Sequence, residues 1–192
     1  MKQSTKRLAA VIAVASGLMA ANSALAQITI DDFSNFNPNE LYASWATPAA
    51  TITQHADSWQ VTSIGYGSLW KYEGDIDGSG ATQVQLTIDI AGDSGFIAGP
   101  IVDLIDNNGA WATYAWYGID TPGSYVLTAD LSTTPWLNLA DIQHIHLECD
   151  PGAAPTIRYD LTFQDLSLIP EPTSLTLLAL GAIGFMIARR RF

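Results

Sequence analysis

The chain has 192 residues, with eight Lys or Arg against nineteen Asp or Glu and a formal net charge of −11. Three basic residues stand in the first seven positions and three in the last four, so residues 27–169 keep only Lys71 and Arg158 against eighteen acids, a formal charge of −16. That balance excludes nucleic acid, whose phosphate backbone is held by Lys and Arg, and the single cysteine, Cys149, excludes an intrachain disulfide.

Residues 1–26 read as a signal peptide. Lys2, Lys6 and Arg7 give a positive start, and Leu8 to Ala21 is an apolar run broken only by Ser16 and Gly17. Ala24-Leu25-Ala26 then places small residues where a signal peptidase needs them, with cleavage expected before Gln27. The apolar run is shorter than the roughly 20 residues that span a bilayer.

Residues 27–169 follow as a string of short strands, a size suited to one domain. Ile28 to Phe33 is the first. Thr51 to His55 and Trp59 to Tyr66 form a pair across the polar turn Ala56-Asp57-Ser58. Asp75-Ile76-Asp77-Gly78-Ser79-Gly80 is a turn by its Gly and Asp content; as a calcium loop of the EF-hand kind it fails, because Leu86 stands where a Glu ligand belongs. Val84, Leu86, Ile88 and Ile90 alternate with polar residues, the period of a half-buried strand. Ile97 to Ile105 is apolar on both parities, as in a more buried strand. Asp106-Asn107-Asn108-Gly109 is a hairpin signal that leads into the return strand Trp111 to Ile119. Tyr125 to Leu131, Ile142 to Cys149 and Ile157 to Leu168 complete the set, with a single helical turn expected at Leu137 to Asp141. Eight or nine short strands with no long amphipathic helix indicate an all-β sandwich, with a jelly-roll topology preferred.

The last segment, 170–192, has three parts in order: Pro170-Glu171-Pro172, the apolar stretch Leu175 to Ala188, and Arg189-Arg190-Arg191 before Phe192. The prolines hold the start extended, the stretch can form a membrane helix, and the arginines keep its end in the cytoplasm. This ordered set resembles the PEP-CTERM sorting signal. The resemblance implies an exported protein of a polysaccharide-producing Gram-negative host, whose tail is removed by an exosortase, a membrane-embedded cysteine transpeptidase or protease. The membrane is then contacted only through the C-terminal segment.

The middle loosely resembles galactose-binding-like and carbohydrate-binding-module jelly rolls, through Asp31-Asp32-Phe33, through Val102-Asp103-Leu104-Ile105-Asp106-Asn107-Asn108-Gly109, and through Tyr159 to Leu166. Such jelly rolls carry a structural Ca²⁺ between first and last strands, which the resemblance places at Asp32 and Asp165 with Asp31 beside them. Aromatic rings stack on sugar rings, and the candidates are Trp111, Tyr114, Trp116, Tyr117, Trp70 and Trp136, with Tyr72 nearby. Alternation sets Trp111 and Tyr117 on one face and Tyr114 and Trp116 on the other. His144, His146 and Glu148 share one parity of a strand, a donor set for Zn²⁺ or Fe²⁺ or a solvated strand face. The HxH spacing resembles that of cupins, but Glu148 lies too close to match their pattern.

No G-x-S-x-G, convincing Cys–His pair or Gly-rich phosphate loop occurs. The first expectation is therefore an exported, non-catalytic module that binds extracellular polysaccharide. A structural surface or matrix protein without a small ligand is the second, and a glycan-active or metal-dependent enzyme the third.

Overall fold

The computed structural model describes residues 27–35, 41–43 and 50–170, and Ile28–Ile169 form a compact unit. The signal peptide 1–26 and the tail from Glu171 onward lie outside the described residues. Eleven strands are described: β1 (Ile28–Asp31), β2 (Leu41–Ala43), β3 (Thr51–Gln54), β4 (Trp59–Ser63), β5 (Gly67–Ile76), β6 (Ala81–Gly92), β7 (Pro100–Asp106), β8 (Trp111–Ala115), β9 (Gly123–Asp130), β10 (Ile142–Cys149) and β11 (Tyr159–Pro170). They make two open antiparallel sheets. One runs β3-β4-β11-β6-β9, with β1 also paired to β11; the other runs β2-β5-β10-β7-β8.

The apolar alternation read in the sequence faces the space between the sheets. Val84, Leu86, Ile88 and Ile90 of β6, Leu161 and Phe163 of β11, and Val102, Leu104, Ile145 and Leu147 of the second sheet form one buried cluster. Phe33, Trp59 and Phe163 pack ring to ring at its end, with centroids 4.9 to 5.6 Å apart. Each such side chain contributes about 1.5–3 kcal/mol by leaving water. In β11 the inward parity switches between Phe163 and Leu166, across Gln164 and Asp165.

Turns follow their residue chemistry. Gly109 takes φ 76° in the β7–β8 hairpin, where the Asp106 carboxylate accepts the Asn108 and Ala110 N–H groups. The Asp77–Gly80 stretch joins β5 to β6, and Asp77 accepts the Ser79 N–H at 2.9 Å. It hands the chain from one sheet to the other. Glycine fits Gly78 closely, because a Cβ there would displace the tip of the Leu168 side chain and press on the Leu139 carbonyl 3.1 Å away. The expected helical turn is a 3-10 turn at Leu139–Asp141, and a second lies at Leu131–Thr133.

Two strands escaped the sequence reading, β2 and the long β5. The return strand also ends at Ala115 rather than Ile119. Cys149 is fully buried in β10, and burial pushes its thiol up to about 12. The native protein is expected not to react with a neutral-pH thiol reagent, while the denatured chain reacts with one equivalent; prompt native labelling would contradict this placement.

Candidate functional site

The outward parity of the five-stranded sheet carries the chemistry. Strand register aligns Trp70, His146, Asp103 and Thr113 in one row across β5, β10, β7 and β8. The next row holds Tyr72, His144, Ile105 and Trp111. The rings of Trp70 and Trp111 meet edge to face at 4.7 Å, and both contact the His146 ring, at 4.6 and 5.5 Å. Tyr72 stands against His144 at 5.0 Å. Trp136, 61% exposed, donates its indole N–H to the Trp111 carbonyl at 2.9 Å. Trp111 and Tyr72 are 39% and 48% exposed, so this face presents aromatic surface to solvent, with buried polar groups beneath it.

Of the aromatic candidates, the structure brings together Trp70, Trp111 and Trp136. Tyr114 points the other way, into the core, and its hydroxyl meets Thr134 Oγ1 at 2.6 Å. β8 stops at Ala115, yet Trp116 and Tyr117 keep the expected sides, Trp116 with Tyr114 towards the core and Tyr117 with Trp111 towards solvent. Trp116 packs partly against the core and donates its indole N–H to the Thr128 carbonyl. Tyr117 is exposed in the segment after the strand. Sequence reasoning did not single out Tyr66, whose exposed ring donates its O–H to Glu148.

The first and last strands do pair, with Asp31 opposite Leu166, but the calcium set is not gathered there. Asp31 is buried and bound to the Lys71 ammonium and the Phe33 N–H. Asp32 is exposed and accepts from Ser34. Asp165 accepts from Ser167 in β11. The Asp31 carboxylate is thus already neutralised by a lysine, and the three acids form no common ligand group among the described residues.

Lys71 lies between Asp31 and Glu73 beside a cleft of about 440 Å³ that Asp32, Asn35 and Tyr72 also line. Burial opposes the lysine's charge, but its bond to Asp31 and the charges of Asp31 and Glu73 outweigh this and raise its pKa. Burial, with the charge of Asp31, pushes the Glu73 carboxyl up to about 8. A carboxyl raised on folding holds its proton more tightly in the native state. The stability it contributes is present below its unfolded value and lost as the pH rises through about 8. The melting temperature is therefore expected to fall from pH 5 to pH 9, and Glu73→Gln to flatten that fall. Glu148, also raised by burial, adds a slope of the same sign that the difference between the two proteins removes. Superimposable pH profiles of the two would refute this role for Glu73.

The His144, His146 and Glu148 set is only partly assembled. His144 packs against Tyr72, while His146 and Glu148 are joined by Asp103 of β7. His146 Nδ1 is 2.9 Å from Asp103 Oδ2 and 2.8 Å from Glu148 Oε1. Asp103 Oδ1 and His146 Nε2 are buried without a hydrogen-bond partner. His146 is not a solvated position, since Trp70 and Trp111 flank its imidazole and bury it, while His144 and Glu148 are half-buried. The signal for Asp103 was present: a carboxylate in a strand that is apolar on both parities needs a specific partner.

Comparison with known proteins gives the class of fold first. The CBM27-1 carbohydrate-binding module of Caldicellulosiruptor saccharolyticus, solved with mannohexaose, is similar over 77% of this chain and 99% of that chain, with TM-score 0.52 and 11% identity. The family 11 carbohydrate-binding module of Clostridium thermocellum, solved with a β-1,3-1,4-mixed-linked tetrasaccharide, is similar over 75% of this chain and 95% of that chain, with TM-score 0.50 and 16% identity. An agarase is similar over 77% of this chain, at TM-score 0.55 and 13% identity, but the match spans only 27% of the agarase chain. At these identities the likeness is one of fold: an all-β sandwich of the kind found in carbohydrate-binding modules. Residues 168–191 match the PEP-CTERM protein-sorting motif, so the chain carries that sorting signal. No curated protein matches the chain.

Proposed function

We propose that the protein is exported, sorted by an exosortase through its C-terminal motif to the cell surface or extracellular matrix, and that its sandwich is a non-catalytic module binding neutral extracellular polysaccharide. The observation that carries this reading is the Trp70–Trp111 pair, 4.7 Å apart on the outward face of the five-stranded sheet, extended by Tyr72 and Trp136. Aromatic faces with polar edges match the alternation of C–H faces and hydroxyls on a sugar ring. The formal charge of −16 over residues 27–169 disfavours anionic polymers and leaves neutral ones as the fitting partners. The PEP-CTERM motif supports the route of export.

Binding of the purified protein to an array of neutral glucans, mannans and galactans tests the reading. Saturable binding to at least one of them is expected. No binding by a folded sample would overturn it in favour of a structural matrix role.

A further inference from the structure

Three lone-pair atoms converge beside the Trp70–Trp111 pair. The ligand atoms of Asp103, His146 and Glu148 all lie within 4.8 Å of one another, and both carboxylates reach the same ring nitrogen. A bare nitrogen lone pair facing two carboxylates is repulsive, so positive charge belongs at that point, either a proton or a metal ion. A proton serves the group poorly. One N–H aligns well with one acceptor, and a hydrogen bond weakens steeply as its angle closes. Beside this point Asp103 Oδ1 and His146 Nε2 are also buried without a hydrogen-bond partner, on side chains only 2% and 7% exposed, whereas buried polar atoms are ordinarily satisfied.

We propose that Asp103, His146 and Glu148 bind a divalent transition-metal cation of the zinc class. Donors 2.8 and 2.9 Å apart have the spacing of ligands about 90° apart around an ion held about 2.0–2.1 Å from each, as in a five- or six-coordinate site rather than a tetrahedral one. The imidazole selects against calcium and magnesium, which take oxygen ligands, and the absence of thiolate from the set selects against Cu(I). The Tyr66 hydroxyl holds the other oxygen of Glu148, the kind of outer contact that orients a ligating carboxylate. Trp70 and Trp111 restrict water around the imidazole. Three protein ligands leave at least one coordination position for water.

The site is independent of the polysaccharide reading and is measured without glycan. The full chain in detergent, stripped with chelator and dialysed, is titrated with Co²⁺ and separately with Zn²⁺. One ion per chain is expected, with Co²⁺ giving visible d–d absorption and quenching tryptophan fluorescence, and with Zn²⁺ displacing it. His146→Gln and Glu148→Gln are expected to weaken binding by more than the ~10–100-fold that loss of an outer contact costs, while His55→Gln leaves it unchanged. Glu148 is the less buried ligand, so its variant keeps the test valid should changes at Asp103 or His146 unfold the chain. Absence of stoichiometric binding in the folded wild type would overturn the proposal. So would wild-type affinity in the Glu148 variant, or loss on His144→Gln with retention in His146→Gln.

Discussion

Trp111→Ala is expected to reduce affinity for the bound polysaccharide roughly 30-fold, the equivalent of about 2 kcal/mol for a truncated aromatic anchor. Trp70→Ala is expected to do the same, because its ring touches both Trp111 and His146 and its loss disorders the pair as well as removing one face. Tyr114→Phe is the matched control. That ring points into the core and gives up only its hydroxyl contact to Thr134, so affinity should be unchanged. Isothermal titration against the polysaccharide identified on the array separates these outcomes. Wild-type affinity in both tryptophan variants, with folding verified, would place the binding surface elsewhere.

Lys71→Met should lower stability by about 3–5 kcal/mol, since removing one partner of a buried ion pair leaves the other charge uncompensated. The lysine's side chain is 10% exposed and that of Asp31 6%. At neutral pH Glu73, raised to about 8, is largely protonated, so the stranded charge is that of Asp31. The double variant Lys71→Met with Asp31→Asn is therefore expected to recover much of the loss. Thermal melting at pH 7 reads both, with a fall on the order of 10 °C for the single variant. A single variant that melts with the wild type would show that the pair contributes nothing net.

How far the sequence reveals this molecule depends on where each residue's partner lies. Strand β6 was legible because Val84, Leu86, Ile88 and Ile90 state their alternation locally, and the hairpins at Ala56–Ser58 and Asp106–Gly109 because turn residues act on their own backbone. Strand β5 was not, because its inward parity runs Leu69, Lys71, Glu73. Two charges on a buried parity break the pattern unless Asp31, forty positions earlier, is known to sit opposite. The same holds at the site. His146 and Glu148 were visible as a parity on one strand, but Asp103 joins them only through the β7–β10 register. His144, equally prominent in sequence, is turned to Tyr72. Alternation separated Tyr114 and Trp116 from Trp111 and Tyr117 as the structure does, but it could not say which of the two faces is the core. The sorting tail needed no tertiary partner, so its order of elements could be read directly.

The position of β11 has a mechanical consequence. It is the last strand, ending at Pro170, yet it lies inside its sheet, with β6 along one side and β4 and β1 along the other. Tension applied through the C-terminus therefore enters at an interior strand. Pulling that strand out means shearing two ladders along their length at once, not peeling an edge one rung at a time. A force on the domain through its C-terminal end is therefore taken first by a strand paired along both edges.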